Sequence, residues 1–584
     1  MIKEIKKIYD RCERIGVIGS PSSTSELSID ILGTAVNKKL VGNLCVFNFN
    51  QDGNEHFALG QIVEVDMRNP WVEDPTMRSL IRQKGVVEPV TERQDFHLAR
   101  MTVGSVFSVS DAVQPSTLGT VPSTGTSVRL MERTLLDYLL NEYKKDIVFL
   151  GNAYGTDIPL PTWFKSFGNE QGGVGEAFHI GIFGKTGSGK SVLAKMIMLS
   201  YAKNESMNIF ILDPQGEFTK LKNDNVILTL INKGFNKNIL FYSIQDLVLT
   251  GENLLKRILA KSQFFDKLGV VHSDNKSRAS EQVIKIIKKK RRNLESYAED
   301  EIKPWEYYKK EVFDLVWNEI KNEDVIKNIY SQKEGQDRVR SAIEGADVNE
   351  MYNMWSSILK LFSYEGNSNK IKINDLIEKL GDSGKGKIIV IDLSDESSKD
   401  LYWNDGIRKI VIDKLLDSLK AVGENYFKSN RLLNTLVIID EAHRLAPRDL
   451  NQDDEVSIEL RSLIIDSILT TRKYGLGWMF ISQTLSGLHK DIISQLRIYF
   501  FGYGLAYGTE YQSLREIIGG ADYALNLYKL FKDPQSGFGK KEYPFMAFGP
   551  VSPLSFSGYP LFFSSYNFPE EFIKNNFSEV LRKL

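Results

Sequence analysis

The chain has 584 residues, with 74 Lys and Arg against 75 Asp and Glu, a formal net charge of −1. Hydrophobic residues make up 42% and charged residues 26%, which excludes a disordered, collagen-like or purely coiled-coil chain. At roughly 100–200 residues per domain the length predicts about three to five domains, and neutrality excludes a chain-wide basic coat, so any grip on nucleic acid is local or built by assembly.

Cys12 and Cys45 are the only cysteines, and the six histidines are scattered. No C-x-x-C motif occurs, so neither a disulfide framework nor a structural zinc site is expected. The start, MIKEIKKIYDRCERIG, lacks the apolar stretch of a secretory signal. No apolar run reaches the ~18 residues of a membrane span. The expectation is a cytoplasmic protein with no membrane segment.

Residues 1–130 are expected to form a small β-barrel. VGNLCVFNF (41–49) and ALGQIVEV (58–65) alternate in part and flank the turn cluster QDGNEH. The Ser/Thr/Gly-rich stretch 103–127 reads as strands plus a long loop. MERTLLDYLLNEY (131–143) spaces Leu135, Leu136, Leu139 and Leu140 as an amphipathic helix.

The pattern then changes to α/β. HIGIF (179–183), NIFIL (208–212), KIIVIDL (387–393), TLVIID (435–440), GWMFIS (477–482) and RIYFFGYG (497–504) read as buried parallel strands between helices. Residues 131–250 and 381–530 are expected to be two parts of one ATPase core. The charged, Lys-rich stretch 251–380 reads as a helical insertion between them. Residues 531–584, rich in Gly, Pro, Ser and Phe, read as an extended tail or a peripheral β segment that wraps a neighbour.

Residues 184–191 spell Gly184-Lys185-Thr186-Gly187-Ser188-Gly189-Lys190-Ser191, the G-x-x-x-x-G-K-S pattern. An apolar strand precedes it and an amphipathic run, beginning at Ser191-Val192, follows. Glycines let the backbone fold around phosphate, so that N–H groups and a helix N-terminus face the negative charge. Lys190 is expected to reach the terminal phosphates and Ser191 to ligate Mg²⁺. In LVIIDEAHRLAP (436–447), Asp440 ends a buried strand and suits the Mg²⁺ shell, while Glu441 suits a general base for water. Bare paired acids after a buried strand are costly unless they meet a cation. The next strand ends in Ser482-Gln483, and Gln483 is the expected polar sensor of the terminal phosphate or the water. Arg472 ends a predicted helix; it can cross a subunit boundary as an arginine finger, or simply complement the helix dipole. Arg461, Arg444 and Arg497 are fallbacks.

These motifs, in this order, resemble the HerA family of hexameric DNA-translocating ATPases, related to FtsK. The resemblance rests on GKTGSGKS (184–191), LDPQGEF (212–218), IDEAHRLAP (439–447), RKYGLGWMFISQ (472–483) and SQLR (494–497). In the DPQGEF segment Gln215 and Phe218 stand where the family has His and Tyr, while Asp213 and Glu217 match. The resemblance implies a RecA-like P-loop core behind a small barrel. It makes ATP and Mg²⁺ the cofactors, and places Gly184, Thr186, Gly187, Ser188, Gly189, Lys190, Ser191, Val192, Asp213 and Glu217 at the nucleotide. Asp440 and Glu441 become the Walker B pair, Arg472 the trans finger and Gln483 the sensor. Some family members carry a further arginine before the loop, but residues 151–184 hold no arginine, only Lys165.

The resemblance also implies a homohexamer with double-stranded DNA in its pore. Local candidates for the grip are the basic run Lys288 to Arg292 and the loop INKGFNKN (231–238) with Lys233 and Lys237. Bacterial relatives act beside nucleases or sirtuin-like NAD-consuming proteins in antiphage defence, which implies an effector docked on the barrel face. The alternative function is an ATPase scaffold that assembles and activates the effector without productive translocation. A conjugative coupling ATPase is a third reading, disfavoured by the lack of membrane segments.

Overall fold

Strand-forming runs in the first 130 residues bury both faces, and the sheet they build closes on itself. The computed structural model describes residues 2–582 apart from 89, 111, 170–172, 290–301, 365–369, 382–383, 537–540 and 556–557. Strands β1 (Arg14–Ile18), β2 (Glu26–Ile31), β3 (Leu44–Gln51), β4 (Asn54–Arg68), β5 (Phe96–Val109) and β7 (Ser127–Leu130) form a six-stranded barrel, and β6 (Val113–Ser116) lies outside against β5. The order is β2-β1-β7-β3-β4-β5, closed by antiparallel β2–β5 pairing, which leaves few exposed edges. Cys45 and Phe47 point into the barrel with Ile29, Ile62 and Met101. Leu44 and Val46, alternate in sequence, pack outward against Ile5, Tyr9 and Leu135. Both cysteines are buried free thiols. The sequence reading missed the excursion between β4 and β5. Asn69 and Asp74 cap two short helices there, Pro70–Glu73 and Pro75–Lys84, and neither helix buries a side chain.

The second unit is an eleven-stranded sheet. It uses β8 (Ile147–Ala153), β9 (Pro159–Trp163), β10 (Ile180–Phe183), β11 (Asn208–Asp213) and β12 (Ile239–Ser243). A two-stranded ribbon of β13 (Leu247–Val248) and β14 (Ile371–Lys372) brackets the insertion. Then come β15 (Ile388–Asp392), β16 (Thr435–Ile439), β17 (Leu476–Ser482), β18 (Ile498–Phe501), β19 (Pro544–Phe548) and β20 (Leu561–Ser565). The order is β12-β15-β11-β16-β17-β10-β18-β19-β20-β8-β9. Neighbours from β12 to β18 are parallel and the rest antiparallel. All six expected parallel strands are present. The seventh, β12, is a half-buried edge strand that the sequence reading did not single out, although its Ile239-Leu240-Phe241-Tyr242 run is as apolar as a central strand.

The insertion is helical as expected. Its helices include Glu252–Lys261, Ser273–Lys289, Lys310–Ile320, Lys333–Gly345 and Val348–Leu359. Phe264 and Phe313 pack on the buried Trp355 ring at 5.4 and 6.1 Å, within the same apolar core as Phe210 and Ile391 of the sheet. Of the basic run, Lys288 pairs with Glu252 at 2.6 Å, and residues 290–292 lie outside the described residues.

The segment beyond 531 follows its β alternative, and it is not peripheral. β19 and β20 stand between β18 and β8, with Phe545, Phe562 and Phe563 fully buried. The aromatic residues that looked like a wrapping arm fill the chain's own core. Gln61 of the barrel rivets this region: its amide donates to the carbonyls of Gly42 (2.7 Å) and Phe562 (2.8 Å), and its oxygen accepts from the Phe562 N–H (2.8 Å). A truncation near 540 therefore removes interior strands.

Candidate active site

The P-loop grows directly out of strand β10, whose four residues are all buried. Gly187 and Gly189 take φ of 82° and 88°, values that L side chains rarely adopt. At Gly184 a Cβ would lie 2.7 Å from Ser188 Oγ and 3.2 Å from Gly502. The loop is pinned by the Lys185 N–H donating to the Tyr503 carbonyl at 2.9 Å and the Ser188 N–H donating to the Lys185 carbonyl at 3.1 Å. Helix Lys190–Ala202 follows, with Ser191 and Val192 partly exposed in its first turn.

Lys190 is buried and donates Nζ to the Lys185 carbonyl at 3.1 Å. Burial lowers its pKa, opposed by the charges of Glu441 and Asp440. Asp440 follows β16 and is also buried. Desolvation, joined by repulsion from Glu441 and Asp213, pushes its carboxyl up to about 7. Glu441 adopts φ 52° and ψ 40°, a left-handed conformation uncommon for a residue other than glycine. Its N–H donates to Asp440 Oδ1 at 2.9 Å. This backbone turn aims two successive carboxylates into one place, the kind of local strain that collects at functional sites.

Strand β17 lies between β10 and β16, so Gln483 just past its end falls between the loop and the acidic pair. Gln483 Nε2 donates to Glu441 Oε1 at 2.9 Å, and Thr186 Oγ1 donates to Gln483 Oε1 at 3.0 Å. The sequence reading missed His443, whose Nε2 lies 3.5 Å from Glu441 Oε2. Its spacing in IDEAH, two residues after the base, was the available signal. Burial lowers the His443 pKa. Gln535 and Tyr543 were missed as well. A Cβ on Gly187 would fall 2.1 Å from Gln535 Nε2, and one on Gly189 2.9 Å from Tyr543 Cδ1. The chain's own C-terminal segment thus lies against its own phosphate loop, and no local motif announces that.

Three assignments need correction. Asp213 is fully buried, and its oxygens accept from the N–H groups of Glu217, Phe218 and Thr219 and from the Thr219 hydroxyl, at 2.8–2.9 Å. Its carboxylate is spent shaping the DPQGEF turn, not offered to a nucleotide. Glu217 is tied to Lys220 and lies 3.7 Å from Lys195 of the P-loop helix. It braces the loop from outside. Lys237, proposed for a pore loop, is buried, with Nζ on the carbonyls of Glu205 (2.7 Å) and Met207 (2.8 Å). Lys233 is exposed.

Arg472 is placed apart from the rest. It precedes β17, whereas Gln483 follows it, and β17 runs parallel to β10 with Ser482 opposite Phe183. Seven strand residues at ~3.3 Å each put roughly 20 Å between the two ends. Arg472 is half-exposed and ion-paired with Glu176 of the same chain. Among the fallbacks, Arg444 Nε is 3.8 Å from Glu441 Oε2, Arg461 donates to the carbonyls of Pro447 and Arg448, and Arg497 stacks over Phe178 at 4.5 Å.

The residues fit a hydrated divalent cation shared with phosphate. Among the described residues no cluster of three or more His, Cys, Asp or Glu could hold a metal alone. Mg²⁺ at nucleotide sites, however, needs only one or two protein oxygens besides phosphate and water. Asp440, poorly solvated and unpaired with any cation side chain, is such an oxygen, with the Ser191 hydroxyl beside the loop. Ser188 Oγ and Glu441 Oε2 are buried without hydrogen-bond partners. Buried polar atoms of that kind ask for a ligand.

A parallel sheet in this strand order, with its phosphate loop at the carboxyl ends of the strands, defines the class: a RecA-like P-loop ATPase. The central region can be placed more narrowly. Residues 177–410 match the family model of the central domain of helicase HerA. Among solved structures, VirB4 of Thermoanaerobacter pseudethanolicus aligns with a TM-score of 0.38 and 15% identity, over 73% of this chain and 97% of that one. The genome packaging NTPase B204 of Sulfolobus turreted icosahedral virus 2, bound to AMPPCP, aligns at 0.28 and 12%, over 67% and 98%. The monomer form of the pCW3 conjugation coupling protein TcpA, with ATPgS, aligns at 0.26 and 10%, over 92% of both chains. No curated protein matches the chain. No helix among the described residues is long and apolar enough to cross a membrane.

Proposed function

We propose that the protein is an ATP-hydrolysing DNA translocase that works as a homohexameric ring, moving double-stranded DNA through its pore beside an effector held on the barrel face. The effector would be a nuclease or a sirtuin-like NAD-consuming protein, and the setting antiphage defence. One observation carries the catalytic part: the Gln483 amide bridges Thr186 of the phosphate loop and Glu441, 2.9 Å from the carboxylate. A general base must lie within hydrogen-bond reach of its water, and Glu441 is already oriented beside the loop.

In this reading the loop N–H groups and Lys190 hold the β- and γ-phosphates of ATP. Ser191 and Asp440 hold Mg²⁺, which when bound supplies charge neutralisation at the phosphate oxygens. Glu441 takes a proton from the attacking water, and Gln483 keeps that carboxylate aimed. Among the described residues Arg444 stands beside the base, its Nε 3.8 Å from Glu441 Oε2, and Arg472 stands at the far end of β17. An arginine from a neighbouring subunit completes the charge. That requirement is what favours a ring.

The effector reading is supported by the excursion on the barrel. Met67, Trp71, Val86 and Phe96 expose apolar surface there, between 54% and 62% each, which is the character of a docking surface. The test is ATP turnover with and without duplex DNA, paired with native mass measurement. A hexamer whose turnover rises with DNA supports the motor. A hexamer indifferent to DNA that still activates its effector supports the scaffold alternative, and a monomer under all conditions overturns the ring.

A further inference from the structure

We infer that Thr186 is a positioning residue: through the Gln483 amide, the phosphate loop itself sets the direction of Glu441. This rests on the hydrolytic reading above. Thr186 Oγ1 donates to Gln483 Oε1 at 3.0 Å, and Gln483 Nε2 donates to Glu441 Oε1 at 2.9 Å. The direction of this relay is fixed by charge. With the amide reversed, its carbonyl would face the Glu441 carboxylate, acceptor against acceptor. With Thr186 donating, the amide NH₂ points at Glu441.

The other carboxylate oxygen, Oε2, has no hydrogen-bond partner, with His443 Nε2 at 3.5 Å and Arg444 Nε at 3.8 Å. The relay through Gln483 is thus the short contact that orients the base. Glu441 sits in a left-handed backbone conformation, so the backbone fixes its root and the relay fixes its tip. Thr186 itself is exposed on the phosphate loop. The loop and the orientation of the base therefore share one hydroxyl.

The test compares Thr186→Val, which keeps the shape and removes the donor, with Thr186→Ser, which keeps the hydroxyl. Thr186→Val is expected to lower kcat about ten- to a hundredfold, the scale of a misplaced catalytic group, with KM for ATP nearly unchanged. Thr186→Ser is expected to stay close to wild type. In a Gln483→Leu background, Thr186→Val should add little, because the relay is already cut. A loss seen in KM or ATP affinity, or a full additional loss in the Gln483→Leu background, overturns the inference and leaves Thr186 as a simple phosphate contact. Glu441→Gln is assayed in parallel. If it leaves turnover intact, the hydrolytic reading itself falls, and the relay with it.

Discussion

The two ends of strand β17 are built on opposite plans. At its amino end His179 and Arg472 are satisfied. His179 is buried and neutral, its pKa pushed down to about 4 by desolvation, with Nε2 on the Ile468 carbonyl and Nδ1 accepting from the Trp478 N–H. Arg472 beside it has Glu176 as counter-ion. At the carboxyl end the polar groups are left wanting. Asp440 is raised to about 7, Lys190 is lowered, and Ser188 Oγ and Glu441 Oε2 have no partners. A fold tolerates such frustration where a ligand resolves it, and perturbed groups gather there for that reason. The comparison also separates two kinds of charge. Asp440 and Glu441 follow the neighbouring strand β16 at the carboxyl edge of the sheet, and Arg472 lies at the amino end of β17.

The strongest way to break that comparison is to separate the two ends genetically. Arg472→Ala is expected to lower turnover about a thousandfold, as loss of an arginine finger does. Glu441→Gln should cost on the order of a hundred- to a thousandfold, while ATP still binds. Mixed in equal amounts, the two variants should recover turnover above either alone, since a Glu441→Gln chain can lend its arginine to an Arg472→Ala neighbour. No recovery in steady-state ATPase assays would mean that the two ends do not meet across subunits.

A second prediction tests the frustration directly. Between about pH 4 and pH 7 the folded chain keeps on Asp440 a proton that the unfolded chain has lost, so this group destabilises the ligand-free protein as pH rises through that window. Asp440→Asn removes the penalty. Its melting temperature without nucleotide should exceed wild type by about 2–4 °C at pH 7, and the gap should close toward pH 4. A gap independent of pH would mean that Asp440 is not the strained group.

The smallest effect is expected at the satisfied end. Glu176 and Arg472 are both about half-exposed, and pairs of that kind contribute little. Glu176→Gln should change melting temperature hardly at all and turnover by less than about threefold. A large drop in turnover would show that Glu176 places the arginine rather than merely neutralising it.

Much of the site was legible because it is local in sequence. The P-loop is eight consecutive residues after an apolar strand, and Asp440-Glu441 ends another. Their chemistry follows from residue type, strand polarity and spacing. The same locality misled at Asp213. A carboxylate at the end of a parallel strand looks like a ligand, yet four donors within six residues consume it. Lys237 misled similarly, since a Lys in a Gly/Asn-rich loop reads as exposed until its carbonyl partners are seen. Gln535 and Tyr543 could not be found this way. They reach the loop because β19 and β20 carry the chain back through the middle of the sheet.

The sequence by itself determined the six central parallel strands, the loop that cradles phosphate, the acidic pair and the split of the core by a helical insertion. Each is encoded in runs of a few residues, where periodicity and glycine placement act directly on the backbone. Only the tertiary structure decided which carboxylates stay free, that the tail completes its own sheet, and that Arg472 is turned away from its own phosphate loop. Those outcomes depend on strand order, and strand order is set by long-range packing that no short stretch of sequence contains.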